Sequence, residues 1–240
     1  MRGIAILFIL SIFLNPLSSV IAQNEFVNNN IQLKDIINLV KLSATGNVYQ
    51  RNHAITLLKA KVGELAIPIM IPYLADQTKD KERINIVLAI HQLGENAVNP
   101  LIEALNTKDS FLKQQVISLL GHIKDKRALA DLKRILESPK ELDAVKQYAK
   151  TAIQEITGRP PITLPSAKVL FYQKALAYYN DKKEYSQLHK NNWLFWKLID
   201  NKFVYKEVPS PIYNEIMAEE ACYNALELDT AFKEAWALLI

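Results

Sequence analysis

Val62-Gly63-Glu64-Leu65-Ala66 recurs as Leu93-Gly94-Glu95-Asn96-Ala97 and again, more loosely, as Ile123-Lys124-Asp125 followed by Ala128. Ala66, Ala97 and Ala128 stand 31 residues apart, and so do Leu74, Leu105 and Leu136. Two independent columns, one small and one large, thus share a period. A fixed period of this length is the signature of a solenoid, whose units bury their apolar faces only by stacking on one another.

Working outward, each period holds two helical patterns. In the first unit Leu33, Ile36, Ile37, Val40 and Leu42 fit one helix ending near Gly46, and Ala54, Ile55, Leu57, Leu58 and Val62 a second ending at Gly63. The spacing predicts further pairs over 64–75 and 82–92, 95–106 and 110–121, and 126–137 and 141–157. Polar turns lie at Asp76-Gln77-Thr78, Asn106-Thr107-Lys108-Asp109 and Glu137-Ser138-Pro139. Pro68 and Pro100 fall near the starts of their helices, where a missing N–H is tolerated. Pro72 falls inside one and is expected to kink or shorten it, giving an irregular second layer.

The stretches from Gly121 to Leu136 and from Gly94 to Leu105 resemble the short bacterial HEAT-type repeats first grouped with phycobilisome lyases. The resemblance spans residues 31–158 and implies an all-α fold, a right-handed α-solenoid of four helical hairpins. It departs from the pattern at Lys59 and His91, where the family prefers Gly. The historical name invites a reading as a lyase-like enzyme accessory, for which no local motif speaks. A HEAT-like hydroxylase family builds a di-iron site from repeated His-Glu pairs. Here Gln92 follows His91 and Ile123 follows His122, so the carboxylates are missing and no metal or other cofactor is expected.

Gly158-Arg-Pro-Pro-Ile-Thr-Leu-Pro-Ser166 breaks the helical period with three prolines in nine residues, making 159–165 a linker. Beyond it, 166–240 is rich in aromatics. A helix is expected from Ser166, as its cap, to Asn180. Trp193-Leu-Phe-Trp-Lys-Leu-Ile199 and Phe203-Val-Tyr-Lys-Glu-Val208, around Asp200-Asn201-Lys202, read as a β-hairpin near 193–208. Ala221 to Asp229 and then Ala235-Trp236 resemble a helix of a tetratricopeptide repeat leading into the next, with Thr230 where that family has Pro. The small helical module with one β-hairpin ends on Ala237-Leu-Leu-Ile240, an apolar end without a polar cap. The expectation is that the chain continues or that a partner covers this end.

Residues 1–22 read as a signal peptide: Met1-Arg2, an apolar run from Ile4 to Leu14, Pro16, and small or β-branched residues before cleavage after Ala22. The apolar run is shorter than the ~20 residues a membrane span needs, so a periplasmic or secreted location without stable membrane insertion is expected. Residues 23–30 form an Asn-rich leader. A formal charge of +4 is too small an excess to call for nucleic acid.

No Gly-rich phosphate loop, Gly-x-Ser-x-Gly, His-Glu-x-x-His or Cys-x-x-Cys occurs, so a non-catalytic chain is expected. The single Cys222 lies on an apolar helical stripe and reads as a buried thiol, although an approach by His189 in space stays open. Two sets of residues are candidates for contacting a partner. Arg51, Arg83, Lys113 and Lys146 recur at spacings of 32, 30 and 33 residues, either as a positive stripe or as bonds to the adjoining turns. Trp193, Trp196 and Tyr205 would stack on a sugar or clamp a peptide if exposed, or glue the hairpin to its helices if buried. The function expected is a scaffold that binds another protein, with glycan binding by the aromatic hairpin as the alternative.

Overall fold

Gly63 and Gly94 turn the chain at the same step of successive units. Their φ values are +62° and +60° with ψ near −130°, a backbone region that residues with a Cβ rarely adopt. Each follows a second helix and leads through a 3₁₀ turn, Gly63–Ala66 or Gly94–Ala97, into the next first helix. At the corresponding step of the third unit Lys124 takes a left-handed conformation, with φ 60°.

The computed structural model describes residues 31–182, 185 and 192–240. The first unit pairs α1 (Leu33–Thr45) with α2 (Val48–Leu57), and the second pairs α3 (Ile67–Ala75) with α4 (Asp80–Leu93). The third pairs α5 (Val98–Ala104) with α6 (Ser110–Ile123), and the fourth α7 (Leu129–Glu137) with α8 (Asp143–Thr157). The result is the helical solenoid that the period implies. Its core is continuous, running from Ile36 and Val40 through Met70, Ile90 and Leu101 to Ile117, Leu132 and Ile153.

Irregularity does occur, but one helix before the place expected. Helix α3 continues through Pro72 to Ala75, and its nine residues compare with seven in α5 and nine in α7. Proline therefore does not shorten this helix. The irregular element is a π-helical turn, Leu58–Val62, at the end of α2, which carries an extra residue per turn.

Pro161–Thr163 forms a 3₁₀ turn, pinned where buried Lys133 donates from Nζ to the Pro161 carbonyl at 2.8 Å. Helix α9 (Ala167–Tyr179) follows. The Ser166 side chain makes no capping bond. The Ala167 N–H donates instead to Glu137 Oε2 at 2.9 Å, so a carboxylate from the end of α7 starts α9. Strands β1 (Asn192–Ile199) and β2 (Lys202–Pro209) pair antiparallel, with Trp193 opposite Val208 and Trp196 opposite Tyr205. Asp200 and Asn201, at φ 50° and 60°, supply the two left-handed positions of a tight hairpin turn. Helices α10 (Ser210–Leu228) and α11 (Lys233–Leu239) complete the chain. Helix α9 packs between α7 and α10, while β1 lies against α5. The module after the linker therefore lies on the first helices of the repeats. Among the described residues no helix is long and apolar enough to cross a membrane. Residues 1–30, with the expected signal peptide and leader, lie outside the described residues, as does His189.

Candidate functional site

The seam between repeats and module is polar, and Glu64, Arg127, Asp131 and Lys174 in it are buried. Four repeat segments reach into it at recurring steps. From the turn before α3, Glu64 accepts a hydrogen bond from the Trp196 indole Nε1 at 2.8 Å. From α5, Asn99 donates to the Tyr213 hydroxyl at 3.0 Å, while Glu103 accepts from the Leu198 N–H at 3.3 Å and from Lys197 Nζ at 3.4 Å. From the turn before α7, buried Arg127 reaches back to the Glu95 carbonyl at 3.0 Å and pairs with Asp125 at 2.7 Å. From α7, Asp131 pairs with Arg134 and with Lys174 of α9, each at 3.0 Å.

Two charge clusters result. Lys197 of β1 is held between Glu103 and Glu220 of α10, giving one carboxyl group in excess. Asp131 is held between Arg134 and Lys174, giving one cation in excess. Burial pushes the Glu103 carboxyl up to about 7, against the pull of Lys197. Burial opposes the Lys197 charge, yet Glu220 and Glu103 together hold its pKa above the ordinary lysine value. Arg127 behaves likewise: burial disfavours its charge and the neighbouring Asp125 more than restores it. The arrangement can bind and orient charged groups.

The aromatic candidates are not an exposed platform. Trp193 is buried, stacked on Tyr213 with ring centroids 4.9 Å apart, and donates to Ser210 Oγ at 2.9 Å. Trp196 is buried on the other face of the hairpin, edge-on to Phe203, which itself packs against the repeat core. Tyr205 lies beside Trp196, with centroids 5.0 Å apart, and is partly exposed. The sugar-stacking arrangement needs Trp193, Trp196 and Tyr205 exposed together. Both faces of the hairpin are instead covered, one by α9 and α10 and the other by the repeats, because a lone two-stranded sheet must find partners to be stable.

The basic column engages the turns beside it. Arg51 Nη1 donates to the Gly46 carbonyl at 2.8 Å, and Arg83 Nη1 to the Asp76 carbonyl at 2.8 Å, so both serve carbonyls at the ends of preceding helices. Lys113 pairs with Glu141 of the next unit at 2.8 Å, and Lys146 lies 3.9 Å from Asp143. Cys222 is buried between α9, α10 and α11, and burial pushes its thiol up to about 12. His91 and His122 are exposed, and His122 Nδ1 lies 2.7 Å from the Ser118 carbonyl. Among the described residues no three His, Cys, Asp or Glu side chains gather in a way that could hold a metal ion.

Glu64, Asn99, Glu103, Asp131 and Arg134 were not singled out by sequence reasoning. A signal existed in part: Pro72, Glu103 and Arg134 follow one another at 31-residue steps, and two of the three carry charge on the first helix of a unit.

A family model described as HEAT repeats matches residues 67–154. No curated protein matches the chain.

Proposed function

From the premise that residues 67–154 are HEAT repeats, we propose that the chain is a non-catalytic scaffold that binds a protein partner through its row of second helices. HEAT repeats commonly mediate protein–protein binding. The observation that carries the choice of surface is the placement of the aromatic module on the first helices, which occupies that side of the solenoid with the chain's own residues. The second helices α2, α4 and α8 keep exposed Tyr49, Ile84, Leu88 and Tyr148. Ile84 and Leu88 lie one turn apart on α4, as helical anchors of a binding surface do. The scaffold acts outside the cytoplasm, in the periplasm or medium, a reading supported by Met1-Arg2 and the apolar run after it.

The test is cross-linking capture with the full chain and with an Ile84→Asp/Leu88→Asp double variant of unchanged melting temperature. A defined protein captured by the first and lost by the second supports the reading. Capture that is equal for both moves the binding surface elsewhere, and retention on glycan resin with no protein captured overturns the scaffold.

A further inference from the structure

The two charge clusters of the seam face a common cavity of about 220 Å³. Its lining holds both ion-pair clusters, Glu103–Lys197–Glu220 and Asp131–Arg134–Lys174. Exposed Asn106 and Glu227 stand among its lining residues and mark its mouth. Counted over the ion pairs, the first cluster has an unbalanced carboxylate once Glu103 is ionised and the second an unbalanced cation. Asp131 and Lys174 are both over nine-tenths buried, and so the charges of that cluster are weakly screened. Phe195, Trp196 and Met217 complete the lining with apolar surface.

Such a cavity offers both signs of charge around one enclosed space. At about 220 Å³ it has room for several waters. It is therefore smaller than pockets for drug-sized ligands, which start at roughly 300 Å³. A pure anion meets the excess carboxyl of the first cluster, and a pure cation the excess cation of the second, each with repulsion. A small molecule bearing both charges a few bonds apart is attracted by both clusters.

We propose that this cavity binds a small zwitterion of the α-amino-acid class. Its carboxylate lies at Arg134 and Lys174, its ammonium at Glu103 and Glu220, and its side chain on Trp196 and Met217. The site lies in the seam and not on the second helices, so it is independent of the scaffold reading and survives if that reading fails.

The experiment is isothermal titration calorimetry on the full chain with three probes: L-leucine, its N-acetyl derivative, which lacks the ammonium, and its amide, which lacks the carboxylate. The expected result is one site for leucine, weakened about tenfold or more in each derivative, which corresponds to about 1.4 kcal/mol per lost charge. Glu220→Gln is expected to weaken leucine by a similar factor. Because that variant removes a buried partner and can fail to fold, Asn106→Trp provides a second test. It fills the mouth from an exposed position, leaves both clusters intact, and is expected to abolish binding at unchanged melting temperature. No saturable binding of leucine up to ~10 mM, equal binding of all three probes, or binding indifferent to Asn106→Trp would overturn the proposal.

Discussion

Trp196 Nε1 and Glu64 Oε2 meet at 2.8 Å across 132 positions of the chain. The bond joins the hairpin to the turn that opens the second repeat, and both residues are buried. The corresponding residue one period on, Glu95, is exposed, so it is the indole that makes one step of the repeat differ from the next.

Trp196→Phe keeps most of the ring surface and deletes the donor to a buried carboxylate. A hydrogen bond to a charged group contributes about 1.5–3 kcal/mol, and the loss of chemical-denaturation stability is expected in that range. Glu64→Gln in the Trp196→Phe background should restore part of it, since the buried carboxyl that lost the indole donor is then replaced by a neutral amide. A double-mutant cycle with zero coupling would show that the pair does not fasten the module.

The pH dependence of Glu103 follows from its surroundings. It faces Lys197 and the Leu198 N–H from β1, Glu220 from α10, and Asp131 from α7, the last paired with Arg134 and with Lys174 from α9. Its folded-state carboxyl titrates at about 7 against an ordinary 4.5, so the folded chain holds the proton more tightly than the unfolded one. Its contribution is therefore fully present below 4.5 and is lost as pH rises to about 7. Measured as wild type minus Glu103→Gln, stability should decline across that window by up to about 3 kcal/mol, then stay level. A difference that is flat with pH would contradict this.

Gly121 is the close-contact point of α6 and α8. A Cβ placed there would lie 2.9 Å from the Ala152 Cα and 2.5 Å from Glu155 Oε2. The carboxylate can swing away and the backbone of α8 cannot. Gly121→Ala should therefore destabilise by about 1–3 kcal/mol, as overpacking does, although alanine is the better helix former. Thermal melts of the variant decide it.

Arg83 tests whether the basic column holds the repeats together or greets a partner. Its guanidinium serves the carbonyl of Asp76 at the end of α3, pairs with Asp80, and lies over the Phe111 ring at 5.2 Å. Arg83→Met should cost about 1–2 kcal/mol in stability and leave the affinity for a captured partner unchanged. An unaltered melting temperature together with lost capture would reverse that assignment.

Most of the helical plan was legible because burial in a solenoid is periodic. The columns Ala66, Ala97, Ala128 and Leu74, Leu105, Leu136 report it directly, and all but Leu136 are buried. Asp200-Asn201 between alternating apolar runs likewise marked the hairpin. Pro72 does not shorten α3, because a proline removes one helical bond without ending the helix where the bonds on either side persist.

What the sequence by itself determined is which residues repeat and which segments are helix or hairpin, since those depend on contacts within a few residues. What only the tertiary structure decided is the seam. Alternation along β1 puts Trp193 and Trp196 on opposite faces but does not say what covers each. Tyr213 covers one, while Glu64 and Phe203 meet the other. Glu103, Lys197 and Glu220 come from α5, β1 and α10, which no local pattern brings together. A one-dimensional period encodes how often a side chain turns inward, whereas the identity of its partner depends on how the module folds back across the repeats.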